Sequence, residues 1–252
     1  MKENASEKYA ISVKDLVVRY RSMKSFSIRG SALNLGNRKK DVFEALKGVS
    51  FDVETGRIVG VVGRNGSGKS TLLRTIAGVF SPDEGELTTY DNRVSLLAIG
   101  VGFQTQLSGI ENIYLSGLLL GFDLETIKAK IPEIVEFSEL GDFVYKPVRT
   151  YSSGMHSKLS FSITAILEAD VILIDEVLSV GDVNFKKKSE EKMREIIQGD
   201  NKTVVIVSHS MKILRELCTE AIWIEGGKMK AHGETNKVID EYEQFMKEIR
   251  KP

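Results

Sequence analysis

The chain has 252 residues, with 35 Lys plus Arg against 35 Asp plus Glu, enough length for a substantial core in one domain or in one domain with a smaller lobe. The balanced charge excludes a net positive field that would recruit nucleic acid, so none is expected as a partner. A single cysteine, Cys218, precludes an intrachain disulfide and points to a reducing compartment, while no stretch reaches the ~20 apolar residues of a bilayer span, so any membrane role is expected to run through a partner.

Ile11 to Tyr20 has strand character, and residues 21 to 41 are basic, bear serine and glycine, and read as a surface excursion. Phe43 to Val53 is a second strand, and Glu54-Thr55-Gly56 turns the chain into a short apolar run from Arg57 to Val62. That run leads into GRNGSGKS, Gly63 to Ser70, which matches the P-loop pattern of glycine, four residues, glycine, lysine, and serine or threonine. Leu72, Leu73, Ile76 and Ala77 then fall at helical spacing, which completes strand, loop and helix. Glycines let consecutive N–H groups turn inward around phosphate oxygens, and the new helix points its positive end at them. The candidate phosphate cradle is Gly63, Arg64, Asn65, Gly66, Ser67, Gly68, Lys69, Ser70 and Thr71. In it Lys69 reaches the β- and γ-phosphates, and the Ser70 hydroxyl is placed to hold Mg²⁺.

Ser81-Pro82-Asp83-Glu84-Gly85 is a further turn, followed by strands at Glu86 to Tyr90 and Val94 to Ile99. From about 100 to 169 the character is helical: Ile110 to Gly121, then Leu124 to Glu139 interrupted at Pro132, then Met155 to Ala169 with Leu159, Ile163, Ile166 and Leu167 on one face. Val171 to Ile174 is a buried strand that ends in Asp175-Glu176. A helix carrying Phe185, Met193, Ile196 and Ile197 follows, then a strand from Thr203 to Val207 that ends at Ser208-His209. Ile213, Leu214, Leu217 and Cys218 share a helical face, which makes Cys218 a core residue. Ala221 to Glu225, Gly226-Gly227 and Lys228 to His232 form a hairpin, and Val238, Ile239, Tyr242, Phe245, Met246 and Ile249 stripe a closing helix. The fold class is α/β with a mostly parallel central sheet, an N-terminal antiparallel β lobe and an inserted helical subdomain. The basic runs Arg38 to Lys40 and Lys186 to Lys188 read as solvated faces, and His156 and His232 as surface residues.

A P-loop alone spans kinases, GTPases, helicases and transporters. The Asn-Lys pairs Asn201-Lys202 and Asn236-Lys237 lack the aspartate that a GTPase base reader carries two residues on. Asp175 is the expected partner of Mg²⁺, and Glu176 is placed to polarise a water against the γ-phosphate. Tyr151-Ser152-Ser153-Gly154-Met155, just before a helix and upstream of the acidic pair, resembles the signature motif of ATP-binding cassette (ABC) ATPases, a second anion site at a helix start. The resemblance implies a P-loop NTPase spanning 1 to 252 as a single nucleotide-binding domain, with ATP and Mg²⁺ as cofactors. It also implies a head-to-tail homodimer in which Ser152, Ser153 and Gly154 of one copy close over ATP in the P-loop of the other. By the same resemblance Tyr20 stacks on adenine, the loop Ser179-Val180-Gly181-Asp182 carries subunit communication through Asp182, and His209 contacts the γ-phosphate. Gln104, with Gln106 as the alternative, links Mg²⁺ to the membrane subunit, although the loop around it is shorter than usual.

The stretches LLAIGVGFQTQLSGIENIYLSGLLLGF, EFSELGDFVYKPVRTYSSGM, DEVLSVGD and WIEGGK resemble the ATP-binding subunits of exporters for wall teichoic acid and for O-antigen or capsular polysaccharide. That resemblance implies an ATPase at the cytoplasmic face of the cell membrane, working with two copies of a separately encoded permease on a lipid-linked glycopolymer. It implies no additional carbohydrate-binding domain after the closing helix. The alternatives are an ABC ATPase for another cargo and, further off, a soluble P-loop enzyme such as a kinase.

Overall fold

A computed structural model describes residues 8–21, 42–97, 102–175, 182–199 and 202–249. The excursion from residue 22 to 41, Gly100 and Val101, Glu176, and Ser179 to Gly181 lie outside the described residues.

Two sheets carry the fold. The first is antiparallel and three-stranded, in the order β2 (Val42–Glu54), β1 (Tyr9–Arg21), β4 (Glu84–Thr88). The second runs β5 (Val94–Leu97), β6 (Val171–Asp175), β7 (Thr203–Val207), β3 (Ile58–Val62), β8 (Glu220–Glu225), β9 (Lys228–Glu234). Its first five strands are parallel, and β9 closes the edge as the antiparallel half of a hairpin with β8. The strand reading Glu86 to Tyr90 shifts two residues earlier, because Tyr90 and Asp91 take positive φ and turn the chain.

Alternation of side chains along each strand decides which face is covered by what. Val59, Val61, Val171, Leu173, Val205 and Val207 point to the face under the antiparallel lobe and α1 (Lys69–Ile76), joining Ile11, Leu16, Leu46, Leu72 and Leu73. Ile172, Ile174, Val204 and Ile206 point the other way, against Phe185 of α5 (Val183–Gln198), Leu214 of α6 (Met211–Leu217) and Ile239 of α7 (Thr235–Ile249). Both faces are therefore dry, as a parallel sheet requires.

A third core belongs to α2 (Gly109–Leu119), α3 (Leu124–Ser138) and α4 (Ser153–Leu167), built from Ile113, Ile127, Ile134, Leu159 and Ile163. Contrary to the sequence reading, α3 runs unbroken through Pro132. Pro132 and Lys128, whose carbonyl loses its N–H partner, are both exposed, so water replaces the missing bond while Ile127 and Ile134 pin either side. Two contacts fasten this block to the sheet layers. Arg93 holds Asp170 through two hydrogen bonds of 2.9 and 3.1 Å and lies over the Phe122 ring at 4.6 Å. Phe137, Phe161 and Phe185 bring α3, α4 and α5 together, with centroids 5.7 to 6.1 Å apart.

Candidate nucleotide site

Asp175, Ser208-His209 and the P-loop follow the carboxyl ends of adjacent parallel strands, where an open α/β sheet presents ligands. α1 begins on Gly68 at φ 112, has no side-chain cap and carries no acid in its first turn, so its leading N–H groups are left for an anion. The Lys69 ammonium folds back into the loop, donating to the Gly63 carbonyl at 2.8 Å and the Arg64 carbonyl at 3.0 Å. Lys69 is buried among backbone oxygens, which fixes a positive charge at the floor of the cradle. The Ser70 hydroxyl donates to Asp175 Oδ1 at 3.1 Å, joining α1 to the end of β6. A hydroxyl and a carboxylate in contact beside a phosphate cradle are two hard oxygen donors, the set that suits Mg²⁺.

The loop is held from outside by a turn the sequence reading took only as a hairpin. Gly227 N–H donates to the Ser67 carbonyl at 3.0 Å, and the Gly227 carbonyl accepts from Lys47 N–H at 2.8 Å. The β8–β9 turn is thereby clasped between the P-loop and β2. Gly63 lies against β8 so closely that a Cβ there would sit 2.0 Å from the Ile224 carbonyl oxygen. Glycine at position 63 is thus a packing requirement as well as a conformational one.

Tyr20 stands beside the start of α1, its hydroxyl 3.1 Å from Thr71 Oγ1 and its ring edge-on to Phe80 at 5.6 Å, with 38% of the residue exposed. His209 is exposed at the rim of a cleft of about 660 Å³, with Arg64 and Asn65 on one side and Met211, Tyr242 and Met246 on the other. The structure brings these residues to one end of the sheet. Glu176 lies outside the described residues.

The Ser152 to Gly154 turn is elsewhere. The helix starts at Ser153, two residues before the sequence reading put it, because Ser152 caps it by accepting the Met155 N–H at 3.2 Å. Ser152 and Gly154 open onto a different cleft of about 500 Å³, which Phe143, Lys158 and Asp182 also line. Asp182 caps α5 by accepting from Asn184 and Phe185 N–H at 3.1 and 3.0 Å. Within one chain the start of α1 and the start of α4 do not share a cavity.

Gln104 and Gln106 are exposed, and their loop is organised by a residue the sequence reading passed over. Asn112, fully buried in α2, accepts the Gln104 N–H at 2.7 Å and donates to the carbonyls of Gln104 and Ser108 at 3.0 and 2.8 Å. An asparagine on the apolar face of a helix was the available signal, since a buried amide has to be satisfied. Two residues read as surface also make contacts across the fold. His156 is half-buried against the Phe103 ring at 4.8 Å, and burial pushes its imidazole pKa down. Lys188, in the supposedly solvated run, donates to the Phe137 carbonyl at 3.0 Å and to Glu139 at 3.1 Å. His232 does face outward, with Nε2 3.2 Å from Glu220.

Residues 46–179 match the family model described as ABC transporter. The chain is 43% identical over 242 residues to a teichoic acids export ATP-binding protein of Staphylococcus epidermidis, covering 96% of this chain and 91% of that one. The protein of the same description from Staphylococcus haemolyticus is 41% identical over the same shares. Among solved structures, an ATP binding subunit of an ABC transporter superposes with a TM-score of 0.69 at 20% identity, covering 92% of this chain and 93% of that one. A dimeric ATP-binding cassette, MJ0796, in a post-hydrolysis state with ADP and Pi superposes with a TM-score of 0.65 at 20% identity, covering 89% and 98%.

Proposed function

The chain belongs to the ABC transporter family, and from that premise we propose that it is the ATP-hydrolysing subunit of an exporter that moves a lipid-linked polymer of the teichoic acid class across the cytoplasmic membrane. The cargo is read from the staphylococcal relatives, whose likeness extends over 96% of this chain. No helix among the described residues is long and apolar enough to cross a membrane. In the exporter proposed here a separate permease provides the path for the polymer, two copies of it pairing with two copies of this chain at the cytoplasmic face.

The observation that carries the ATPase reading is the division of the site. The P-loop, Ser70 and Asp175 lie at one end of the sheet, while the Ser152 to Gly154 turn opens onto a separate cleft. A chain with two phosphate-binding helix starts that cannot converge uses both only when two copies pair head to tail. In that arrangement the P-loop N–H groups and Lys69 hold the β- and γ-phosphates, Tyr20 packs on the adenine, and Ser152, Ser153 and Gly154 of the other copy complete the phosphate shell. Ser70, Asp175 and Gln104 would hold Mg²⁺, which when bound neutralises charge developing on the phosphates. Glu176 accepts the proton of the attacking water, and His209 donates to the γ-phosphate oxygen. Closure of the pair excludes water from the site, and reopening follows loss of the γ-phosphate contacts.

Two linked measurements test this. Glu176→Gln is expected to bind ATP, hydrolyse it at least about a hundredfold more slowly, and accumulate as a dimer by light scattering; a chain that stays monomeric with ATP contradicts the head-to-tail pair. Depletion in the host is expected to remove a phosphate-rich surface polymer and accumulate its lipid-linked form inside. Unchanged surface polymers contradict the cargo and leave the ATPase standing.

A further inference from the structure

His209 stands in the turn between β7 and α6, and its two neighbours tie that turn to the helix. Ser208 Oγ accepts the Ser210 N–H at 3.1 Å, and Ser210 Oγ caps α6 by accepting the Ile213 N–H at 3.4 Å. Any rotation of α6 about its own axis therefore carries His209 with it.

The packing of α6 does little to prevent such a rotation. Of its seven residues only Leu214 is buried. Leu214 and Cys218, just past the helix end, rest on Gly60 of β3, where a Cβ would lie 3.3 Å from Leu214 Cδ2 and 3.2 Å from Cys218 Sγ. Met211 and Leu217 are covered only in part. Residues four apart form a single row along a helix, and contact along one row sets how close the helix lies to the sheet while leaving it free to roll.

Arg215 supplies the missing restraint. It lies about 100° around the helix from Leu214, and its guanidinium reaches across to α7. Nη2 is 2.6 Å from Asp240 Oδ1 and 3.5 Å from Glu243 Oε2, while Nη1 is 3.0 Å from Asn236 Oδ1 and 3.4 Å from the Asn236 carbonyl. These three residues share one face of α7 over two turns, so the planar fork is gripped along its whole width. Glu243 also lines the cleft at whose rim His209 stands, together with Tyr242 and Met246 of the same helix.

Stability is a poor explanation for this contact. The Arg215 side chain is 30% exposed and its two acids 70% and 44%, and exposed pairs of this kind contribute little to folding. α7 is already held by buried Val238, Ile239 and Tyr242, and by the Tyr242 and Phe245 rings on Trp223 at 5.8 and 5.0 Å.

We propose that Arg215 is a positioning residue for ATP hydrolysis, anchoring α6 to α7 and so fixing the direction from which His209 meets the γ-phosphate. This rests on the ATPase reading above. Arg215 touches no phosphate; it sets the roll of the helix that carries the histidine.

The chain has three histidines, so the ring resonances of His209 are readily followed by NMR on the isotope-labelled full chain, with His209→Ala assigning the peak. Arg215→Met keeps the apolar stem and removes the fork, and Asp240→Ala breaks the same anchor from the α7 side. Both variants are expected to displace the His209 peak and to leave those of His156 and His232 in place. Both are expected to lower kcat for ATP about fivefold with KM within about twofold of wild type, and to melt within about 3 °C of it. An unmoved His209 peak, an unchanged kcat, or a KM change with kcat intact overturns the role of Arg215. A melting temperature lowered by more than about 6 °C in both variants assigns the contact to the fold and overturns it too. A wild-type chain without ATPase activity overturns instead the reading on which it rests, while the His209 peak still reports whether the anchor holds the turn.

Discussion

Gly63 and Gly66 occupy the same loop and both take positive φ, 150° and 77°, yet alanine at the two positions meets different surroundings. A Cβ on Gly66 has nothing within 4 Å, so Gly66→Ala meets only the left-handed backbone penalty of about 1–2 kcal/mol. Restriction of the unfolded chain offsets about 0.4–1 kcal/mol of that. A Cβ on Gly63 lies 2.0 Å from the Ile224 carbonyl oxygen and 2.7 Å from Ser67 Oγ. Relief requires β8 or the P-loop to withdraw by about 1 Å, and overpacking of this kind costs about 1–3 kcal/mol beyond the backbone term. Neither element is free to move, since Val61 and Val62 of β3 pair with Ile222 and Trp223 of β8. With the same offset applied to both, the expected total centres on about 3 kcal/mol for Gly63→Ala and about 1 kcal/mol for Gly66→Ala. In a chain of this size those figures become a loss of about 6–12 °C in Tm against about 2–4 °C. Thermal unfolding followed by circular dichroism without nucleotide reads this difference directly. Equal melting temperatures for the two variants would refute the argument that β8 supports the P-loop through Gly63.

Phe185 is fully buried between Phe137 and Phe161, so Phe185→Ala is expected to lower stability by about 3–5 kcal/mol in a denaturant titration. A loss below about 1 kcal/mol would show that these rings do not join the helical block to the sheet. Burial pushes the Cys218 thiol up to about 12, so at pH 8 its thiolate fraction is about a thousandfold below that of an ordinary thiol. A thiol reagent is accordingly expected to leave the native chain unmodified and to label one site once the chain is unfolded. Because the folded pKa is raised, native labelling stays slow as pH rises through the ordinary thiol range near 8.5; prompt labelling there would refute the burial.

Much of the site was legible because its signals are local. GRNGSGKS requires only consecutive residues to form an anion cradle, and the short β-branched runs before Gly63, Asp175 and Ser208 each read as buried strands. The misses were of another kind. The break read at Pro132 did not occur because the freed carbonyl faces water, and no pattern in the sequence states which side of a helix will be wet. His156 and Lys188 were read as surface residues because polar side chains usually are, but Phe103 and the Phe137 carbonyl meet them across the fold.

The sequence by itself determined the α/β class, the order of the elements, the phosphate cradle and the family likeness, since each rests on spacing within a few residues or on the periodicity of one segment. Tertiary structure alone decided that β3 lies between β7 and β8, that the Gly226-Gly227 turn clasps the P-loop, and that the Ser152 turn opens away from it. It alone placed Arg215 against Asn236, Asp240 and Glu243. These contacts join residues that are far apart along the chain. Their partners are chosen by which faces the sheet and helices must bury, a property of the whole packing that no short stretch encodes.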